Sequence, residues 1–365
     1  MDERTVGVEE ELLLVEPASG QPRAVSGAVL RGAGADDSAH FHNELQMEQI
    51  EIDTLPSRSL DELAGEVYRR RHAAALGARA AGAEIAALGT SPLPFKPSLT
   101  PEPRYEWMAD HYGLTAAENL TCGCHVHVAV ASDEEGVGVI DRVRPWLPVL
   151  LAMSSNSPFW QGRVTGYASY RGQVWPRWPS AGPTGTFGSA ENYHRIVQDM
   201  VDSGVLLDKG MIYFDARLSR HYPTVEIRIG DVCLEAEDAI MLAALVRGLV
   251  ETAAREWQAG RPPLRVPTEV LRLANWRASK SGLGGDLVHP AILRPMPATV
   301  VLDALLDHVA PVLDDIGDLS TVKDMVKALV TRGTGADQQR QVYDQRNRFS
   351  DVVAHAVART TECPP

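Results

Sequence analysis

Ten residues, Val6 to Val15, read Val-Gly-Val-Glu-Glu-Glu-Leu-Leu-Leu-Val and set three consecutive carboxylates inside an otherwise apolar, β-prone run. Successive side chains of a strand alternate between faces. Glu9 and Glu11 therefore share one face, and Val8, Glu10 and Leu12 share the other. Like charges on one face repel unless something cationic lies between them. A hard divalent ion, Mg²⁺ or Mn²⁺, meets that need with carboxylate oxygens as ligands. An exposed edge strand kept soluble by its acids is the other way such a run survives.

A second acidic stretch, Phe41 to Thr54, ends in Gln49-Ile50-Glu51-Ile52-Asp53 and reads as another strand region. Between the two lies a Gly/Ala/Asp-rich connection running to about Ala39. Ser59 with Glu62 three residues on forms a capping box and opens a helix to about Ala81. Glu84 to Leu88 reads as a short buried strand, and the proline-rich residues 91–105 as a loop. Thr121 to Val130 is the next strong strand, followed by a helix around Trp146 to Leu151. Ser157 to Ser189 is long and irregular, holding Trp160, Trp175, Trp178, Arg163, Arg171 and Arg177. Loops of that length in compact domains are usually lids or binding loops. Ala190 to Leu206 is helical, Met211 to Leu218 and Thr224 to Ile229 form a hairpin, and Ala236 to Ala259 is an apolar helix. From Thr268 onward the chain is helical, with breaks at Ser281 to Asp286 and at Arg332 to Gly335. Strands and helices do not alternate in βαβ fashion. The expected class is α+β, a mainly antiparallel sheet covered by helices, in a single domain over residues 1–365.

Charge narrows the partners. A net charge of −13 argues against nucleic acid or an anionic membrane as the main partner. No apolar run approaches the roughly 20 residues of a membrane helix, and Met1-Asp2-Glu3-Arg4 does not begin a signal peptide. Cys122, Cys124, Cys233 and Cys363 are too few for a disulfide framework. A cytoplasmic location is expected.

Cys122-Gly123-Cys124-His125-Val126-His127 invites a zinc reading, but strand parity opposes it. His125 and His127 share a face with Gly123, while the two cysteines point away with Val126, and one strand cannot wrap a tetrahedral ion from both faces. Imidazoles on the glutamate face, or satisfied core histidines, are the two remaining readings. In Val225-Glu226-Ile227-Arg228, Glu226 and Arg228 share a face. They form either an ordinary ion pair or a metal ligand beside a phosphate clamp, since Arg grips phosphate bidentately. Several strands presenting acids, His or Arg on one face would make an anion-lined tray holding two or more divalent ions. The chain lacks a Gly-x-x-x-x-Gly-Lys-[Ser/Thr] loop and a strand-borne Gly-x-Gly-x-x-Gly, so phosphates would be held by metal and Arg.

Val8-Glu9-Glu10-Glu11-Leu12, Gln49-Ile50-Glu51-Ile52, Cys122 to Val128, Asn156-Ser157-Pro158-Phe159-Trp160 and Val225-Glu226-Ile227-Arg228 together resemble the type 2 glutamate–cysteine ligases. The similarity continues through Trp276-Arg277-Ala278, Gly282-Leu283 and Gly335 to Arg340. The resemblance implies a glutamine-synthetase-like curved, mainly antiparallel sheet with helices on its convex face. It implies an ATP-dependent ligase that makes amides through an acyl phosphate. Glutamate and cysteine are the family's default pair, here as a weak activity giving γ-glutamylcysteine. Carried over, Glu9, Glu11, Glu51, His127 and Glu226 would hold Mg²⁺ or Mn²⁺, two or more ions, and Arg228 would attend the transferred phosphoryl group. Glu44 and Glu48 depend on a bulge before Glu51. Asn156, Arg163 and Arg171 would border substrate, and Trp276, Arg277, Arg332 and Arg340 would hold nucleotide or close the site. A homodimer is compatible with the family. The alternatives are the same chemistry on another amino acid and amine pair, a guanidino-kinase-like phosphotransferase, and a catalytically silent metal- or nucleotide-binding protein.

Overall fold

A computed structural model describes residues 4–34 and 37–362; Met1 to Glu3 and Cys363 lie outside them. Its strands in chain order are β1 Val6–Val15, β2 Phe41–Asn43, β3 Gln49–Asp53, β4 Glu84–Ala86, β5 Gly123–Ala129, β6 Phe159–Trp160, β7 Arg163–Val164, β8 Ala216–Leu218, β9 Thr224–Asp231, β10 Asp286–Val288 and β11 Pro295–Pro297. Seven of them form one sheet in the order β2-β3-β1-β5-β9-β8, with β4 also pairing β1; β6-β7 and β10-β11 are separate ribbons. Every pairing in that sheet is antiparallel. The α+β expectation holds. The strand with three glutamates is central rather than an edge, which removes the solubilised-edge reading of its acids.

The helices that cover one face are those the sequence marks. Leu60–Ala80 starts on Ser59, whose hydroxyl accepts from the Glu62 amide while the Glu62 carboxylate answers the cap, the expected capping box. Ala236–Gln258 is buried over most of its length, and with Leu60–Ala80 it packs against β1. Val6, Val8, Cys124, Val126, Val128, Val225 and Ile227 all enter that core. They occupy alternate strand positions, so their neighbours Glu9, His125, His127, Glu226 and Arg228 project to the other face.

Glu10 is the exception that proves the parity. It points into the helix-covered layer, where Arg71 of Leu60–Ala80 donates to both of its oxygens at 2.6 and 2.9 Å. Arg71 also donates to the Cys233 and Leu234 carbonyls at 2.7 and 3.0 Å. Both charged groups are nearly inaccessible. A carboxylate buried there without this partner would carry an uncompensated charge.

Two stretches differ from the sequence reading. The Gly/Ala-rich connection contains a short helix, Ser26–Gly32, held by Val29 beneath Gly77. The 157–189 segment is a packed wall rather than a detached lid. Ser157 and Ser169 donate to the Asp231 carboxylate at 2.7 and 2.8 Å, and Arg171 and Trp178 are buried.

Candidate active site

Antiparallel register assembles the site row by row. Glu11 of β1 lies opposite Glu51 of β3, which lies opposite His42 of β2. Glu9 lies between Asp53 and His125. Gly7, His127, Glu226 and Arg217 form the next row across β1, β5, β9 and β8. Residues directly opposite on one face sit about 5 Å apart. Four strands therefore bring acids and imidazoles within coordination reach, although they are far apart in sequence.

Glu9 is the hub. Its carboxylate lies 3.3 Å from His125 Nδ1 and 3.0 Å from His127 Nε2. His125 Nε2 is 3.9 Å from Glu11, and His127 Nε2 is 4.0 Å from Glu226. The Gly123 amide donates to Glu11 at 2.5 Å. Three overlapping groups have ligand atoms within 4.8 Å of one another: Glu9, Glu51 and His125; Glu9, His127 and Glu226; and Glu11, Glu44 and Glu51. Glu9 and Glu51 each belong to two groups.

Electrostatics divides these acids into two kinds. Burial raises the proton affinity of Glu9, but hydrogen bonds from His125 and His127 outweigh it and hold the carboxyl well below its usual range. Burial is likewise overcome at Glu226 by the charges of Arg228, Arg217 and His127, which keep it ionised. At Glu44 and Glu51 the charge of Arg228 acts in the same direction but is outweighed. Burial and then the Glu11 charge push Glu44 up to about 8; burial and the Glu9 and Glu44 charges hold Glu51 well above the carboxylate range. Such carboxyls either take up protons or share a cation. The fit to a divalent ion is chemical as well: hard oxygen donors dominate, and His125 Nε2 is buried with no hydrogen-bond partner. Mg²⁺ and Mn²⁺ suit that set.

The acids floor a hollow of about 260 Å³. Arg228 stands at its edge, ion-paired to Glu226, with Trp175 and Tyr213 flanking its guanidinium at about 6 Å. Arg217 also pairs with Glu226, at 2.6 Å. Arg104, Tyr105 and Trp178 complete the walls. Sequence reasoning passed over Arg104, Tyr105, Tyr213 and Arg217. Only Arg217 carried a usable signal: the hairpin parity places it opposite Glu226.

The uncertain pair resolves through a turn. Residues 44–48 reverse the chain between β2 and β3; Glu44 faces the hollow, while Glu48 turns away and accepts from the Ser98 amide at 3.0 Å. Both cysteines of the Cys-Gly-Cys-His run are buried and free, Cys124 packed in the core with Val126 and Cys122 in a second apolar cluster. The remaining sequence candidates scatter. Asn156 is buried, its amide donating to the Ala87 and Val232 carbonyls and its oxygen accepting from Gln339, so it ties three segments together behind the sheet. Arg163 is exposed on β7. Arg332 pairs with Asp238, and Arg340 bridges Asp337 and the Tyr167 carbonyl. Arg277 is half-buried on the Thr268–Ser281 helix. Arg171 and Trp276 line a second cavity beside the hollow.

The model of "Glutamate-cysteine ligase family 2" matches residues 5–358. The chain belongs to this family. A relative from Streptomyces coelicolor, named "Putative glutamate--cysteine ligase 2", is 55% identical, over 98% of this chain and 99% of that one. Among solved structures, a glutamate–cysteine ligase from Francisella tularensis in complex with AMP superposes with a TM-score of 0.71, covering 100% of this chain and 90% of that chain at 13% identity. A bifunctional glutathione synthetase from Pasteurella multocida gives the same TM-score at 14% identity, covering 99% of this chain and 52% of that one. At such identities these two establish the fold alone.

Proposed function

We propose that this protein is an ATP-dependent carboxylate–amine ligase that joins an amino-acid carboxylate to an amine through an acyl phosphate. The observation that carries the reading is the set of three interlocked ligand groups sharing Glu9 and Glu51, with Arg228 beside them, in a chain of this family. Glutamate is the carboxylate we expect and cysteine the reference amine. Among the described residues no helix is long and apolar enough to cross a membrane, and we place the protein in the cytoplasm.

A carboxylate resists attack by an amine because its leaving group is oxide. Transfer of the γ-phosphoryl group to a carboxylate oxygen, with ADP departing, creates a phosphate leaving group. The amine nitrogen then bonds to the carbonyl carbon, phosphate leaves, and the nitrogen gives up a proton. Glu9, Glu11, Glu44, Glu51, His125, His127 and Glu226 would hold divalent ions, which supply charge neutralisation for the β- and γ-phosphates. Arg228 would bind the moving phosphoryl group; its Nε is buried with no protein partner. Glu226 orients that guanidinium through their ion pair. Trp175 and Tyr213 shield it from water, which strengthens its pull on developing charge.

The test is ADP release by the purified protein with MgATP, glutamate and cysteine, with mass spectrometry of the product. The expected products are ADP, phosphate and γ-glutamylcysteine, and Glu9→Gln should lower the rate by about a hundredfold or more. A phosphorylated acceptor in place of an amide would make the protein a phosphotransferase.

A further inference from the structure

Beside the acidic hollow lies a larger cavity, about 420 Å³. Trp175, Trp178 and Trp276 with Pro176, Pro179 and Pro183 supply much of its wall. Clefts that enclose ligands well beyond the size of cysteine start at about 300 Å³. Trp175 and Trp178 line both cavities, so the two share a wall.

Five polar side chains interrupt the apolar lining: Arg171, Gln173, Asp215, Arg272 and Asn275. Asp215 is buried on the strand-side rim, its carboxylate accepting from Asn275 Nδ2 at 2.8 Å. It precedes Ala216, whose partner in the β8–β9 ladder is Ile227; Asp215 is thus adjacent to Arg228, whose amide donates to the Asp215 carbonyl at 2.9 Å. Asn275 Oδ1 is a buried acceptor without a partner. Arg171 is 1% exposed, its Nε is unpaired, and its remaining hydrogen bonds are long, 3.4 Å to the Ile229 and Arg228 carbonyls. Its guanidinium stands over Gly123: a Cβ there would lie 2.4 Å from Arg171 Nη2 and 3.1 Å from His125 Nε2. Arg171 is therefore the post between the cavity and the metal-ligand face. A buried carbonyl left unsatisfied costs stability unless a ligand completes it.

We propose that this cavity is the amine subsite, and that it takes a primary amine with an aromatic or bulky apolar body. The ammonium sits against Asp215 and Asn275 Oδ1, the body against Trp276 and Trp178. The inference deepens the ligase reading and rests on it. Asp215 and Asn275 Oδ1 are acceptors, which an ammonium satisfies with its donors. Tryptophan faces attract a cation as well as a ring. Burial pushes the Asp215 carboxyl up to about 6, still ionised at neutral pH and more so beside an ammonium. A basic cleft of about 360 Å³ on the far side of Arg217, with Lys209, Arg220 and His221, suits the nucleotide better.

Calorimetry of the intact protein, with and without Mg²⁺ and a non-hydrolysable ATP analogue, tests this with 2-phenylethylamine, cysteine and 2-phenylethanol as probes. We expect 2-phenylethylamine to bind at least about tenfold more tightly than cysteine, and the uncharged alcohol to bind weakly or not at all. Asp215→Asn, nearly isosteric, should weaken the amine by roughly tenfold to a hundredfold. Trp276→Ala, at a position 47% exposed, should weaken it without unfolding the chain. Equal affinity for cysteine, indifference to both substitutions, or displacement of the amine by ADP would each overturn the assignment. The two readings separate cleanly. Glutamate- and cysteine-dependent ADP release from a protein that binds no larger amine removes the inference and keeps the ligase. Tight, Asp215-dependent amine binding with no ADP release from any donor keeps the subsite and removes the ligase.

Discussion

Glu44 offers the sharpest handle on the acidic site, because its predicted behaviour has a sign. Burial and the neighbouring Glu11 charge lift its proton affinity from 4.5 to about 8 in the metal-free fold. The folded state thus holds a proton that the unfolded chain has lost. A raised carboxyl contributes stability fully present below the unfolded value and lost as pH climbs through the folded one. At about 1.4 kcal/mol for each tenfold change in proton affinity, the ceiling is about 5 kcal/mol. Glu44 lines an open hollow and is half-buried, so water screens part of this, leaving on the order of 2 kcal/mol. Urea denaturation between pH 5 and 8 in EDTA reads it directly. Wild type should lose about 2 kcal/mol more over that range than Glu44→Gln, which has no carboxyl at that position. Saturating Mg²⁺ should erase the difference, since a bound ion keeps the carboxylate ionised at no Coulombic cost. Parallel wild-type and Glu44→Gln curves in EDTA would refute the crowding argument, and with it the electrostatic case for divalent ions.

Two further outcomes test the architecture. Arg71→Met strands the Glu10 charge in the helix-covered layer and should cost about 3–5 kcal/mol in urea denaturation; adding Glu10→Leu should recover only part, because the Cys233 and Leu234 carbonyls still lose their donors. Gly123→Ala drives a methyl into Arg171 and towards His125; we expect a loss of about 1–3 kcal/mol together with a fall in amide-forming turnover, and unchanged turnover would remove Arg171 from the site.

Much of the site was legible because strand parity is local. Val8-Glu9-Glu10-Glu11-Leu12 alone assigns Glu9 and Glu11 to one face and Glu10 to the other, and Glu226 and Arg228 follow the same rule. The Ser59–Glu62 capping box and the rejection of a zinc site at Cys122 and Cys124 needed nothing beyond neighbouring residues. Parity does not say what meets the face. The turn at residues 44–48 decided that Glu44 enters the hollow while Glu48 leaves it, and no short window shows where such a turn reverses.

Charge likewise looks alike in sequence whether it serves a ligand or the fold. Asn156 and Arg340 lie in motifs as prominent as Arg228, yet carbonyls from distant segments occupy them, and Asp238 takes Arg332. Arg104 and Tyr213 line the hollow with no motif at all. The chain by itself determined which side of each strand is acidic, since that depends on a two-residue period. Only the tertiary structure decided which acids meet and which arginines remain available, because both depend on strand register and on partners tens to hundreds of residues away.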